Sequence, residues 1–202
     1  MSGCCERMTS EKTDLISCVM SQGDDKVMMS KKVKGGSQFP SIELPKLGGG
    51  RINLGVPEKR TNWKMVVVYR GGHCPMCTRY LKKLGEAKPD FAKLGVDIVA
   101  ASADNESQAL EHFMELKVNY PVTYGLTVDM MRELGLYISR PLSTGETNHF
   151  YSEPGVFVIN DRNEVQILDI SNGPFARPEI DVLLSGIDFI RDKNYPVRGT
   201  FD

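Results

Sequence analysis

Cys74 and Cys77 stand in a C-x-x-C spacing, and their neighbours decide what two such thiols can do. The stretch from Lys64 to Leu84 reads KMVVVYRGGHCPMCTRYLKKL. Met65 to Tyr69 is an apolar, β-branched run of the length of a strand buried on both faces. Gly71 and Gly72 break it with a turn, and from Thr78 the pattern becomes helical, with Leu81 and Leu84 apolar among charged residues. Strand, turn and C-x-x-C at a helix N-terminus form an arrangement with a mechanism. Unpaired N–H groups and the partial positive charge of the helix start favour a thiolate over a thiol. A second sulfur three residues on lies within reach for a disulfide. The reading is a redox site, with Pro75 at the helix start and His73 placed either as a cation that lowers a thiol pKa or as a solvent-facing turn residue.

A zinc half-site is the competing use of the pair. Its other half would have to come from the remaining cysteines or from distant histidines, which lack zinc-like spacing. Inert thiols are a further alternative, disfavoured by the strand–turn–helix context. No metal and no organic cofactor are expected.

The chain around this stretch has 202 residues, enough for one domain of about 150–170 residues and a tail. Hydrophobic residues make up 41%, which supplies a core, and a net charge of −1 gives no reason to expect nucleic acid or a membrane surface as partner. No apolar run approaches the ~18 residues of a membrane span. Five cysteines, three of them in the first 36 residues, do not resemble a disulfide framework, so a cytoplasmic setting is the default.

Residues 1–36 read as a flexible tail, with Thr9 to Met20, apolar at Leu15, Ile16, Val19 and Met20, as a candidate short helix. Cys4, Cys5 and Cys18 lie there as thiols without a defined role; acylation at Cys4–Cys5 or a resolving role for Cys18 are the alternatives. The folded domain is expected over 37–202. FPSIELPKLGGGRINL predicts a hairpin around Gly48–Gly50. Pro89 should kink or restart the cysteine helix. Val96–Asp104 reads as a second buried strand, and Asn105 as the cap of a helix over Glu106–Lys117 with Leu110, Phe113, Met114 and Leu116 as its apolar stripe. A short strand at Val122–Tyr124 and a short helix at Val128–Leu134 follow. Tyr137 to Ser152 is polar, irregular and long enough to suggest function. EPGVFVIND and EVQILDI predict a hairpin across Asp161–Asn163, closed by a helix over Ile180–Ile190. This order predicts an α/β fold, a central sheet with helices on both faces.

GGHCPMC before a helix, VDIVAASAD, EPGVFVIND, SNGPFARPEID and NYPVRGT together resemble the peroxiredoxin-like branch of the alkyl hydroperoxide reductase/thiol-specific antioxidant (redoxin) family. The resemblance runs from about Ser37 to Asp202 and implies a thioredoxin-like fold with a mixed sheet. The family carries P-x-x-x-T-x-x-C, its proline shielding the peroxidatic cysteine and its threonine orienting peroxide. On this chain the cysteine falls on Cys77, the threonine position on Cys74 and the proline position on Arg70. The family's activating arginine position is Pro154, in a pattern, P-G-V-F-V-I-N, closer to thioredoxin and its membrane-anchored relatives, where a cis-proline faces the C-x-x-C. Arg70, Arg79 or Arg140 are then the candidates to supply positive charge, although Arg140 reads first as a surface residue.

The resemblance implies a cysteine-based oxidoreductase that reduces peroxides through Cys77 and Cys74, restored by a thioredoxin-like or low-molecular-weight thiol, with a homodimer as an expected state. Sulfenic acid is expected on Cys77, with Cys74 resolving. A disulfide reductase would use the same pair with Cys74, the more exposed end, as nucleophile. A redox-sensing interaction module without turnover is the third alternative.

Overall fold

The computed structural model describes residues 32–201. The tail helix and Cys4, Cys5 and Cys18 fall outside that range. Lys32 to Gly36, expected as the end of the tail, lie against the domain. Val33 is buried, and the Gly36 N–H donates to the Val165 carbonyl. The packed chain therefore begins before Ser37.

Two short strands, β1 (Glu43–Pro45) and β2 (Arg51–Asn53), pair antiparallel as the expected hairpin. Then come β3 (Trp63–Val68), α1 (Pro75–Lys93), β4 (Val96–Ala101), α2 (Glu106–Leu116), β5 (Val122–Thr123) and α3 (Val128–Glu133). The irregular stretch holds a small ladder of its own, β6 (Ile138–Ser139) against β7 (Tyr151–Ser152). The chain closes with β8 (Gly155–Ile159), β9 (Val165–Ile170) and α4 (Ile180–Lys193). The main sheet has the order β5-β4-β3-β8-β9, with β3, β4 and β5 parallel and β8 and β9 antiparallel to their neighbours.

Alternation along β3 divides the core. Met65, Val67 and Tyr69 face a cluster made with Leu81, Leu84 and Phe91 of α1, Leu116 of α2 and Leu183 and Ile187 of α4. Val66 and Val68 face the opposite cluster, with Met131 of α3 and Phe39, Ile42, Leu44 and Leu54 from the N-terminal segment. Because both faces are covered, β3 is apolar at consecutive positions rather than alternating. Lys64 is the exception. It is almost wholly buried and ion-paired with Asp97, its partner across the β3–β4 register. Asp97 also accepts the Glu58 N–H.

Three expectations are corrected. Pro89 lies inside α1, which continues through it rather than restarting; the residue sits on the exposed face, where the carbonyl it leaves unpaired can be solvated. In α2 the buried residues are Ala109, His112 and Leu116, whereas Leu110 and Met114 are 50% and 68% exposed. The apolar count misphased that helix because a histidine occupies its inner face. The Glu153–Pro154 peptide is trans, as are all peptide bonds among the described residues. The Asn105 cap is present in full, as a capping box with Gln108.

Candidate functional site

β3 ends at Val68 and delivers Tyr69 to Cys77 to one end of the sheet. Gly71, at φ 136°, makes the reversal possible: a Cβ there would lie 2.5 Å from Asp104 Oδ1. Asp104, three residues past the end of β4, accepts the Gly72 N–H at 2.9 Å and ties the turn to the sheet. Pro75 occupies the first turn of α1, where its missing N–H costs nothing. Cys74 is the helix N-cap, its sulfur accepting the Cys77 N–H at 3.4 Å, the part a serine or threonine oxygen commonly plays.

Both sulfurs are free thiols and both residues are buried, Cys74 2% and Cys77 0% exposed. The expectation that Cys74 is an exposed end is thus corrected: as the N-cap it turns its side chain back over the helix start, into the core cluster. The two thiols share one hydrogen bond, and their acidities part accordingly. The Cys77 thiol and N–H, with Arg70 and Arg177 nearby, hold Cys74 down to about 6 against the burial that opposes it. The same shared bond, then burial, pushes Cys77 well up. Arg177 Nη2 lies 2.9 Å from Cys77 Sγ and pulls the other way. The shared hydrogen bond and then burial outweigh it, so Cys77 is the harder of the two to deprotonate.

Arg177 follows β9 and was not singled out by the sequence, although the stretch SNGPFARPEID contains it. Its guanidinium also stacks over the Tyr80 ring at 5.3 Å. Of the arginines that were singled out, Arg79 and Arg140 are exposed, Arg140 lying over the Phe150 ring. The helical phase of one and the outward loop of the other account for that exposure. Arg70 is inside, but carboxylates hold it: Glu146 at 3.0 Å and Glu153 at 3.3 Å, with the Tyr151 hydroxyl as a further acceptor. The irregular stretch before β8 supplies Glu146 and Tyr151, so its length is used to buttress the site.

His73 is neither a cation beside Cys74 nor solvent-facing. Its side chain is 9% exposed, and burial, helped by Arg70, lowers its pKa so that it is neutral at pH 7. Its ring packs 4.8 Å from that of Tyr151. His112 was missed by the sequence. It is 4% exposed, and its Nε2 lies 2.9 Å from Thr78 Oγ1, which also contacts the Cys74 carbonyl at 3.3 Å. Pro154 is buried at the start of β8, its carbonyl accepting the Ser171 N–H. Among the described residues no group of three or more His, Cys, Asp or Glu is arranged to hold a metal ion, and no helix is long and apolar enough to cross a membrane.

The sequence profile described as AhpC/TSA family matches residues 36–167. A 1-Cys peroxiredoxin of Dictyostelium discoideum is 32% identical over 79 residues, 36% of this chain and 32% of the relative, so the match spans about a third of that protein's length. Among solved structures, peroxiredoxin 6 of Arenicola marina superposes with a TM-score of 0.66 at 19% identity, covering 81% of this chain and 76% of that one. Peroxidoxin BcpB from Mycobacterium tuberculosis gives 0.64 at 18% identity, covering 79% and 99%. The yeast mitochondrial 1-Cys peroxiredoxin gives 0.66 at 14% identity, covering 84% and 83%. At these identities the likeness is one of fold, a thioredoxin-like mixed sheet.

Proposed function

Because this chain belongs to the AhpC/TSA family, we propose that it is a thiol peroxidase whose reacting atoms are the sulfurs of Cys74 and Cys77. The observation that carries this reading is geometric: the Cys74 sulfur caps α1 and accepts the Cys77 N–H at 3.4 Å, while Arg177 Nη2 stands 2.9 Å from Cys77 Sγ. The Cys74 thiolate attacks one peroxide oxygen, the O–O bond breaks, and the departing alkoxide or hydroxide takes a proton. Cys74 is then a sulfenic acid. Cys77 loses its proton beside Arg177 and attacks the Cys74 sulfur. Water leaves and a Cys74–Cys77 disulfide remains, so that one peroxide is reduced for two thiols oxidised. A thioredoxin-type or low-molecular-weight thiol then restores the pair. This reverses the order expected from the family motif, in which Cys77 meets peroxide. Here the motif's peroxidatic position holds the less acidic thiol, because that thiol donates to Cys74 and is buried.

The same N-terminal thiolate suits disulfide exchange, and this second reading is favoured by the two changed motif positions, Arg70 and Cys74, and by Pro154 in place of the arginine. Trapping with a sulfenic-acid reagent in Cys74→Ser and Cys77→Ser, alongside turnover with peroxide and with a disulfide substrate, separates the readings. Sulfenic acid on Cys74 in Cys77→Ser together with peroxide turnover in the unaltered chain is the expected result. Sulfenic acid only on Cys77 restores the motif order. Disulfide reduction without peroxide turnover makes the chain a disulfide reductase, and the absence of both leaves a redox-sensing module.

A further inference from the structure

His112 of α2 touches each part of the strand, turn and helix that carry Cys74. Its ring lies 5.6 Å from that of Tyr69, the residue after β3. A Cβ on Gly72 of the turn would stand 3.0 Å from His112 Cβ, so the glycine is what lets the two segments close. His112 Nε2 lies 2.9 Å from the hydroxyl oxygen of Thr78, in the first turn of α1. Both side chains are buried, so water does not compete for this bond. The proposed cycle leaves the histidine without a part.

The Thr78 hydroxyl is also 3.3 Å from the Cys74 carbonyl, which accepts the Thr78 N–H at 3.1 Å. That carbonyl belongs to the Cys74–Pro75 peptide, which has no N–H. It is therefore the only hydrogen-bonding handle on the peptide, and bonds to it fix the peptide plane and with it ψ of Cys74, at 102°. With ψ so held, the Cys74 sulfur caps α1 and accepts the Cys77 N–H. A carbonyl only accepts, so the hydroxyl proton of Thr78 goes to Cys74, and the hydroxyl oxygen accepts from His112 Nε2–H. Burial lowers the pKa of His112, so the ring is neutral at pH 7 and carries its one proton on Nε2. The bond from Nε2–H stops the Thr78 hydroxyl from turning away.

We propose that His112 is a positioning residue for Cys74, acting through the Thr78 hydroxyl to fix the carbonyl of the Cys74–Pro75 peptide and so to hold the Cys74 sulfur over the start of α1. This deepens the proposed function, in which Cys74 is the sulfur that reacts first. Facing Cys74 are the Cys77 thiol of α1, Arg70 at the end of β3 and Arg177 of the loop after β9. Facing His112 are Asp104, Glu115 and Lys82. All of these stay when the neutral ring is replaced. A changed acidity at Cys74 then reports a displaced sulfur and not a lost charge.

The test uses the reduced full chain and has two readouts. Nitrogen NMR of the His112 ring should show the Nε2–H tautomer; the Nδ1–H tautomer, with Thr78 donating to Nε2, overturns the proposal. The second readout is the pH midpoint of Cys74 alkylation by iodoacetamide, followed by peptide mass mapping. His112→Leu and Thr78→Val should each raise that midpoint by about one pH unit, the scale of one hydrogen bond's hold on a thiolate. His112→Gln, which keeps an N–H near the place of Nε2, and Thr78→Ser, which keeps the hydroxyl, should bring it back. The double variant His112→Leu/Thr78→Val should shift it no further than either single change, because both break one link. Shifts that add overturn the proposal. So does lowered stability in urea with an unmoved midpoint, which assigns His112 to packing alone. Where His112→Leu fails to fold, the tautomer and the Thr78 variants decide. Iodoacetamide meets Cys74 without peroxide, so the two readings separate. A shifted midpoint in a chain without peroxide turnover supports the positioning and refutes the peroxidase reading. Peroxide turnover with an unmoved midpoint refutes the positioning alone.

Discussion

Arg177 Nη2 lies 2.9 Å from Cys77 Sγ across a sequence separation of 100 residues. The contact places a permanent positive charge beside the second sulfur of the C-x-x-C pair. In the proposed cycle it acts on the cysteine that loses its proton second. Cys74, by contrast, already has the helix N-terminus, in the form of the Cys77 N–H.

The pair should titrate in two distinct steps. With Cys74 held at about 6, its alkylation by iodoacetamide should rise through pH 6 and level off above it, since only the thiolate reacts. Lowering the pH protonates the sulfur and removes the reactivity. Arg177→Met should move the midpoint upward and prolong the sulfenic acid on Cys74, slowing disulfide formation by about tenfold, an effect of ~1.4 kcal/mol. Stopped-flow rates and the pH profile check both. A midpoint near the ordinary thiol value of about 8.5 in the unaltered chain refutes the division of acidity.

Gly71→Ala should disorganise the cysteine turn. The new Cβ meets Asp104 Oδ1 at 2.5 Å and His73 Nδ1 at 3.0 Å, at a φ of 136°. The Asp104 bond to the Gly72 N–H is the contact to give way. Stability should fall by about 1–3 kcal/mol, and the fast alkylation of Cys74 with it. Gly48→Ala is the control: it also has positive φ but meets nothing within 4 Å, so it should leave alkylation unchanged. Loss of thiol reactivity in both variants would dissociate it from the turn.

Lys64→Met should be among the most destabilising single changes in the sheet. It removes the cation from a buried pair and leaves the Asp97 carboxylate, itself 7% exposed, without its charge partner. Breaking a buried pair from one side costs about 3–5 kcal/mol. The double variant Lys64→Met/Asp97→Asn should recover part of that loss, which urea unfolding of the two proteins measures. A double variant as unstable as the single would show that the cost lies in packing rather than in the stranded charge.

Truncation should find the edge of the domain between two nearby cuts. Removing residues 1–31 is expected to leave stability and turnover unchanged, since that sequence shows no sustained apolar period. Removing residues 1–36 also deletes Val33 and the Gly36 bond to Val165. That cut should cost about 2 kcal/mol, the scale of one buried valine. Equal stability of the two truncations would show that Val33 adds nothing to the core.

The sequence by itself determined the order of elements and the position of the thiols. The apolar run of β3, the glycine turn, the Pro75 start of α1 and the Asn105 cap are local devices, each set by neighbours within a few residues. The C-x-x-C spacing likewise marks its chemistry without help from distant residues. Tertiary structure decided what acts on those thiols. Arg177, the pair Glu146 and Tyr151, and His112 reach the site from three separate segments, and no spacing connects them to Cys74. Burial also inverted two local readings. It made His73 neutral instead of cationic, and it drew Cys74 under cover, because desolvation depends on the whole packed surroundings of a group and not on its sequence neighbours. The exchange of roles proposed between Cys77 and Cys74 has the same origin. A motif names positions, whereas an acidity is set by which sulfur receives the hydrogen bonds and which lies deeper.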